Sequence, residues 1–332
     1  EMSSFILLCG VSVVVVIALR KLIESRWAIC SNRSDLNGKT IVITGSTSGL
    51  GLAVAKDVAQ KGAIVVMACR DMEKCFKIVE EMVNSFRISK AQLVPMFVDL
   101  SSLESVRVFS TNLLKYNKNI DYLVLNAGVF MPLDEKNGEK ALIRTIDGLE
   151  IHMGVNHLSH FLLTNLILSR LRSDKTRIIT VSSMLHKHSQ LELKDINYSS
   201  GVPRVQMSGR YNNLLYNNSK QANVLFNKEL ANKLEGSGAE SCCLCPGLVY
   251  TDIGRHVLQK MSLWKKITFL PVMFFFMKSP KQGIQTILHC IEIEKIVNGG
   301  FYTNCCLQDE NNGRHDDQKE LWTSSLKLVG LV

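Results

Sequence analysis

The sequence predicts a doubly wound α/β domain, a central parallel sheet flanked by helices, preceded by an N-terminal hydrophobic anchor helix. Three observations carry this reading. From Lys39 onward, short β-branched runs alternate with longer amphipathic segments, the pattern of successive βαβ units. A glycine-rich turn, Gly45-Ser46-Thr47-Ser48-Gly49-Leu50-Gly51, separates the first strand from the first helix. Between Met2 and Leu19 there is no charged residue.

With 332 residues, 46% hydrophobic and 21% charged, the chain can bury a full core, so disorder is excluded and one globular domain is predicted. Its segments are an anchor over 1–21, a linker over 22–37, the α/β domain over 38–304 and a C-terminal tail over 305–332. The net charge is +9, yet the basic residues are scattered, which argues against nucleic acid as a partner. The ten cysteines lack metal-finger spacing, and Cys242, Cys243 and Cys245 sit in an apolar run. Buried free thiols are predicted, with Cys305 and Cys306 exposed, and no metal site.

Phe5 to Leu19 is almost continuously aliphatic, close to the roughly 20 residues that a helix needs to cross a bilayer. A secretory signal would carry its positive charge before the apolar stretch, whereas Arg20, Lys21 and Arg26 follow it. A retained anchor with the domain on the cytosolic side is therefore expected. The glycosylation patterns at Asn32-Arg33-Ser34 and Asn197-Tyr198-Ser199 matter only in a lumenal chain and carry little weight.

Lys39 to Thr44 reads as the first strand, followed by the glycine turn and a helix from Leu52. Glycines at 45, 49 and 51 remove side chains that would keep a pyrophosphate from the backbone, and the helix directs free N–H groups at it. Ala63 to Ala68 is the second strand of the unit, which makes the domain of the Rossmann type. At its end an NAD site would place an acid against the ribose 2′-hydroxyl, but Arg70 stands there and suits a 2′-phosphate. NADP(H) is the predicted cofactor.

Gln92 to Val98 is a strand ending at Asp99-Leu100, and Ser101 with Glu104 reads as the capping box of a helix reaching Tyr116. Tyr122 to Leu125 is the next strand and ends in Asn126-Ala127-Gly128. These strand ends are where a parallel sheet binds ligands, although Asp99 also reads as a plain helix-entry residue. Leu149 to Leu171 has helical spacing and holds Asn156, with His157 and His160 taken as packing or surface residues. Arg177 to Val181 is a strand ending in Ser182-Ser183. Tyr216 and Lys220, four apart, share one face of a long helix. Chemistry at a carbonyl needs a proton donor; a nearby ammonium favours the phenolate of a tyrosine, and a serine hydroxyl can hold the substrate oxygen.

Thr44-Gly45-x-x-x-Gly49-x-Gly51, Asn126-Ala127-Gly128, Asn156, Ser183, Tyr216-x-x-x-Lys220 and Pro246-Gly247 occur in the order found in short-chain dehydrogenases/reductases, which the chain resembles from about Gly38 to Thr303. The resemblance implies that Tyr216 is the general acid/base, Lys220 lowers its pKa and binds the nicotinamide ribose, Ser183 orients the substrate and Asn156 supports a proton-relay water. It also implies that Pro246, Gly247, Val249 and Thr251 belong to the nicotinamide-facing loop, with Thr251 on the carboxamide. Two departures stand out. Ser183 and Tyr216 are farther apart than in the smallest members, so Met184 to Leu215 is expected to shape the substrate pocket, and Asn126 lacks a second preceding Asn.

Ala68-Cys69-Arg70-Asp71, the phrase from Val155 to Leu166 and the anchor look most like the retinol dehydrogenase group, whose microsomal members reduce retinal with NADPH. The resemblance implies a lipophilic aldehyde or ketone as substrate and an endoplasmic reticulum membrane as location. Reduction of a keto-steroid or fatty carbonyl is the alternative, and a cofactor-binding scaffold without turnover is the alternative of another class. Ile267 to Met277, flanked by Lys265, Lys266 and Lys278, is too short to span a bilayer. It reads equally as a second membrane contact and as a substrate lid or core segment.

Overall fold

The computed structural model describes residues 16–31, 34–116, 118–136, 139–201, 214–251, 263–309 and 315–332. Residues 16–24 form helix α1. The predicted alternation follows as β1 (Thr40–Thr44), α2 (Gly49–Gln60), β2 (Ile64–Cys69), α3 (Met72–Phe86), β3 (Leu93–Phe97), α4 (Leu103–Lys115) and β4 (Tyr122–Leu125). A short hairpin, β5 (Asp134–Lys136) and β6 (Glu139–Ala141), leads into a helical stretch made of a π-helical turn at Met153–Leu158, α5 (Ser159–Leu166) and α6 (Leu168–Ser173). Then come β7 (Arg177–Val181), α7 (Leu214–Leu234), β8 (Glu240–Cys245), α8 (Leu263–Phe276), α9 (Pro280–Gly283), α10 (Gln285–Glu292), β9 (Gly300–Thr303), β10 (Cys306–Gln308) and α11 (His315–Leu328).

Alternation along each strand divides the core between two faces. Val42 points into a cluster with Phe109, Phe161 and Phe226, while Ile41 and Ile43 point into another with Val54, Val58, Ile78 and Met82. Burial on both faces is why β1 reads as an unbroken apolar run rather than as alternation. The strand order is β10-β9-β8-β7-β4-β1-β2-β3, parallel throughout except for β10, which pairs antiparallel with β9 at the edge. The chain steps from β1 outward to β3 and then returns to β4 on the other side of β1. The carboxyl ends of β1 and β4 therefore form the switch point where such sheets bind ligands.

Several details depart from the sequence reading. Ser102, not Ser101, caps α4 by accepting from Ser105 N, because Asp99 Oδ1 draws the amide and hydroxyl of Ser101 into a turn of its own at 2.9 and 2.7 Å. The helix predicted over Leu149–Leu171 has the wide turn around Asn156 and a break at Ile167, where ψ is 13°. The residues expected as a tail are packed into the domain: β10 extends the sheet, and α11 buries Leu321 and Trp322. Trp322 lies 4.8 Å from the ring of Phe161 and stacks on Phe226, so the packed unit continues past 304. Polar composition hid this, since only one stripe of α11 is apolar.

The stretch expected as a linker is laced to the domain. Ala28 N donates to Asn304 Oδ1, Cys30 N to Gln285 Oε1 and Ser34 N to Glu292 Oε2. Most of the predicted anchor lies in residues 1–15, outside the described residues. Among the described residues no helix is long and apolar enough to cross a membrane. No disulfide joins the nine described cysteines; six are buried, Cys30 and Cys305 are half-buried and Cys306 is exposed.

Candidate active site

At the end of β1 the chain turns sharply. Gly45 has φ +68° and donates its N–H to Ala68 O on β2 at 2.9 Å. A Cβ on Gly51 would stand 2.3 Å from Gly45 O and 2.6 Å from Asn126 Nδ2, so only glycine lets α2 begin against the turn. A Cβ on Gly49 would meet Thr251 at 3.3 Å, which sets the loop after β8 facing the glycine turn. Ser46 is fully buried, while Thr47, Ser48 and Leu50 are half-buried around the helix entrance.

Thr44 joins the two halves of the switch point. Its hydroxyl accepts from Asn126 N and Ala127 N at 2.9 and 3.0 Å, and Asn126 Nδ2 returns a bond to Thr44 O at 2.9 Å. With both lone pairs taken by amides, the Thr44 hydroxyl donates to His160 Nε2 at 2.9 Å, leaving His160 Nδ1–H to donate to Asn156 O at 3.2 Å. Burial lowers the His160 pKa to about 4 and that of His157 to about 3, so both rings are neutral packing groups at physiological pH. Among the described residues no cluster of metal-ligating side chains occurs.

The wide helical turn presents Asn156, which is wholly buried. Its Oδ1 accepts from Val129 N at 2.7 Å, and its Nδ2 donates to Val129 O at 3.1 Å and to Ser219 Oγ at 2.9 Å. Gly128 permits this approach, since a Cβ there would lie 3.2 Å from Asn156 Oδ1 and 3.5 Å from Lys220 Nζ. The adjacent serines after β7 differ in duty. Ser182 Oγ donates to Lys220 O at 2.8 Å, whereas Ser183 Oγ accepts from Leu185 N at 3.2 Å and is near enough to the Tyr216 phenol to favour its phenolate form.

Tyr216 and Lys220 occupy one face of the first turns of α7, and both are buried. Lys220 Nζ donates to Val181 O at 3.1 Å and lies 5.6 Å from the centroid of the Tyr216 ring. Burial brings the Lys220 ammonium down to about 8, opposed by the neighbouring Cys243 and Cys245. Burial also pushes the Tyr216 phenol well above its ordinary value, with Cys245 adding to this and the Ser183 hydroxyl opposing it. The Lys220 ammonium, turned to the Val181 carbonyl, does not offset this rise. A phenol kept protonated is ready to donate, as carbonyl reduction requires.

The remaining predicted positions lie at strand ends and in the loop after β8. Arg70 is exposed at the end of β2, and the carboxylate of the next residue, Asp71, is committed to capping α3 through Lys74 N at 2.9 Å. Asp99 is half-buried and Leu100 buried at the end of β3. Gly247, with φ +88°, donates to Cys245 Sγ at 3.3 Å, and Val249 pairs with Lys278 behind the loop. Met184 to Leu215 begins as a 3₁₀ turn at Met184–His188, but 202–213 lie outside the described residues. Sequence reasoning missed the bridging roles of Thr44 and His160, for which the four-residue step from Asn156 to His160 was the available signal.

A family profile described as short chain dehydrogenase matches residues 39–201. Human retinol dehydrogenase 11 is 35% identical over 322 residues, 94% of this chain and 92% of that protein. The chain belongs to the short-chain dehydrogenases, in the retinol dehydrogenase group. Human retinol dehydrogenase 14 is similar as well, at 34% identity over 90% of this chain and 88% of that protein. Among solved structures, the L-sorbose reductase of Gluconobacter frateurii, complexed with NADPH and L-sorbose, shares the fold. Its TM-score is 0.60 at 21% identity, covering 81% of this chain and 96% of that one. The shared fold fits the switch-point geometry described above.

Proposed function

We propose that this short-chain dehydrogenase is an NADP(H)-dependent oxidoreductase that interconverts a lipophilic aldehyde of the retinal type and its alcohol at a membrane surface. The observation that carries the reading is the meeting of the Tyr216 phenol, the Ser183 hydroxyl and the Lys220 ammonium beside Gly128 at the switch point of the sheet. When bound, a nicotinamide cofactor supplies or takes the hydride.

The chain's own groups do the rest. The Ser183 hydroxyl holds the substrate oxygen, the Tyr216 phenol donates the proton that the developing alkoxide takes up, and Lys220 with Asn156 restores it. The residues fit the dinucleotide. Amides of Gly45 to Gly51 suit its pyrophosphate, Asp99, Leu100 and Asn126 to Gly128 its adenosine side, and Lys220, Pro246, Gly247, Val249 and Thr251 its nicotinamide side. Arg70 supports NADP(H) over NAD(H), because Asp71, the acid next to it, is spent on a helix cap.

A membrane location of the endoplasmic reticulum kind, with the domain on the cytosolic face, is supported by exposed apolar side chains on two helices joined by Arg20. Val16, Ile17, Leu19 and Leu22 of α1 are exposed, as are Trp264, Leu270, Phe274 and Phe276 of α8. Arg20 joins the two helices by donating to Phe275 O and Met277 O at 2.8 and 3.0 Å, carbonyls left without partners where α8 ends. Within Ile267 to Met277, read equally as a membrane contact and as a lid or core segment, the exposure of Leu270, Phe274 and Phe276 favours the membrane contact.

The test is NADPH oxidation by the detergent-solubilised full chain with retinal, medium-chain aldehydes or keto-steroids. Turnover of retinal with NADPH preferred to NADH is the expected result. Turnover confined to keto-steroids would overturn the substrate, and NADPH binding with no turnover of any probe would mark a scaffold.

A further inference from the structure

Beside the catalytic tyrosine lies a buried acid–imidazole pair that the proposed chemistry does not use. Glu150 and His152 are 1% and 4% exposed. Glu150 Oε1 bonds His152 Nδ1 at 2.7 Å, and Glu150 Oε2 accepts from Met153 N at 2.8 Å. The other ring nitrogen, His152 Nε2, accepts from Met131 N at 3.0 Å. A backbone amide can only donate, so Nε2 is the acceptor, Nδ1 carries the proton, and the ring is held as one tautomer against the carboxylate.

His152 immediately precedes the wide helical turn, and Asn156, four residues on, lies within it. Asn156 clasps both backbone groups of Val129, and His152 holds the amide of Met131. Phe130, between these two pinned residues, has its ring 4.7 Å from that of Tyr216, tilted by 52°. The His152 ring meets the same tyrosine edge-on at 6.2 Å. Burying a carboxylate and an imidazole is costly, and an apolar pair would pack as well, so mere space-filling does not account for this pair.

We propose that Glu150 and His152 form a positioning clamp that fixes the 129–131 segment and, through Phe130, sets the attitude of the Tyr216 ring and the free width beside its hydroxyl. The clamp touches no reacting atom; it acts through Met131 and Phe130. This rests on the reading of Tyr216 as the proton donor. Phe130 is then a specificity-determining side chain, and enlarging the space it fills admits bulkier groups next to the carbonyl.

The experiment compares the full chain with His152→Leu, His152→Gln and Phe130→Ala, using hexanal and retinal as probes. It also follows amide hydrogen exchange over 129–131 and NADPH affinity. In His152→Leu, Met131 exchange accelerates while Val129 stays protected, and kcat falls by ~10²-fold, the scale of a misplaced reacting group, with NADPH affinity kept. Gln, which offers a donor and an acceptor, restores most of kcat. Phe130→Ala alters the ratio of kcat/KM between the two probes. Unchanged Met131 exchange in His152→Leu would overturn the clamp whatever the wild type turns over, and wild-type kcat in that variant would do so as well. Equal damage in Leu and Gln variants, with NADPH affinity also lost, would show general collapse and overturn it too. A wild type inactive on both probes counts against the proposed function, while the exchange measurement still judges the clamp.

Discussion

Replacing Gly51 by alanine tests whether the glycine turn is built to bring α2 up against β1. The added Cβ would stand 2.3 Å from Gly45 O and 2.9 Å from Gly45 C, both backbone atoms that no rotamer change can move, and 2.6 Å from Asn126 Nδ2. The helix entrance must shift by several tenths of an ångström, and the Asn126 to Thr44 O bond of 2.9 Å must stretch with it. Overpacking of this kind costs about 1–3 kcal/mol, read as a fall of several degrees in Tm. Misaimed amides lose charge-assisted hydrogen bonds to the pyrophosphate worth about 1.5–3 kcal/mol each, so NADPH binding weakens by about tenfold or more. The assay is NADPH fluorescence titration beside a thermal melt, with Gly236→Ala as control. Gly236 has φ +74° but open space around it, so that change lowers Tm without touching NADPH affinity. Wild-type NADPH affinity in Gly51→Ala would refute the reasoning.

Three further outcomes follow from the same geometry. Arg70→Ala weakens NADPH by roughly tenfold while leaving NADH unchanged, the scale of one lost charge-assisted contact, as read by paired titrations. His157 and His160 stay neutral in the fold, with pKa values of about 3 and about 4 against the ordinary 6.5, so below pH 6.5 the unfolded chain takes up protons that the fold refuses. Stability therefore falls as pH drops, by about 2 kcal/mol per histidine between pH 7 and pH 5 in urea unfolding, and His160→Asn removes its share of that slope. Phe274→Ser with Phe276→Ser reduces co-sedimentation of the chain with phosphatidylcholine vesicles without changing Tm, and unchanged co-sedimentation would remove α8 from the membrane contact.

The parallel strands were legible because burial on both faces writes them as apolar runs, and the glycine turn because a backbone that close tolerates nothing larger. Arg70, Asn126 and Lys220 could be assigned from position after a strand or spacing on a helix. What stayed hidden depends on partners far away in the chain. Thr44 looks like the last residue of a strand until Asn126 and Ala127 are seen to donate to it. Glu150 and His152 read as two polar residues of an amphipathic helix, since nothing local says that Met131 comes to rest on the imidazole. α11 has too few apolar residues to declare itself core, and Trp322 is explained by its distant partners Phe161 and Phe226.

The central claim is that the Tyr216 phenol delivers the proton in a nicotinamide-dependent carbonyl reduction. Single-turnover oxidation of enzyme-bound NADPH by retinal, compared between wild type and Tyr216→Phe, tests it most directly. The account predicts wild-type NADPH affinity and a rate lower by about 10²–10⁴-fold in the variant; a variant that turns over at the wild-type rate would contradict it.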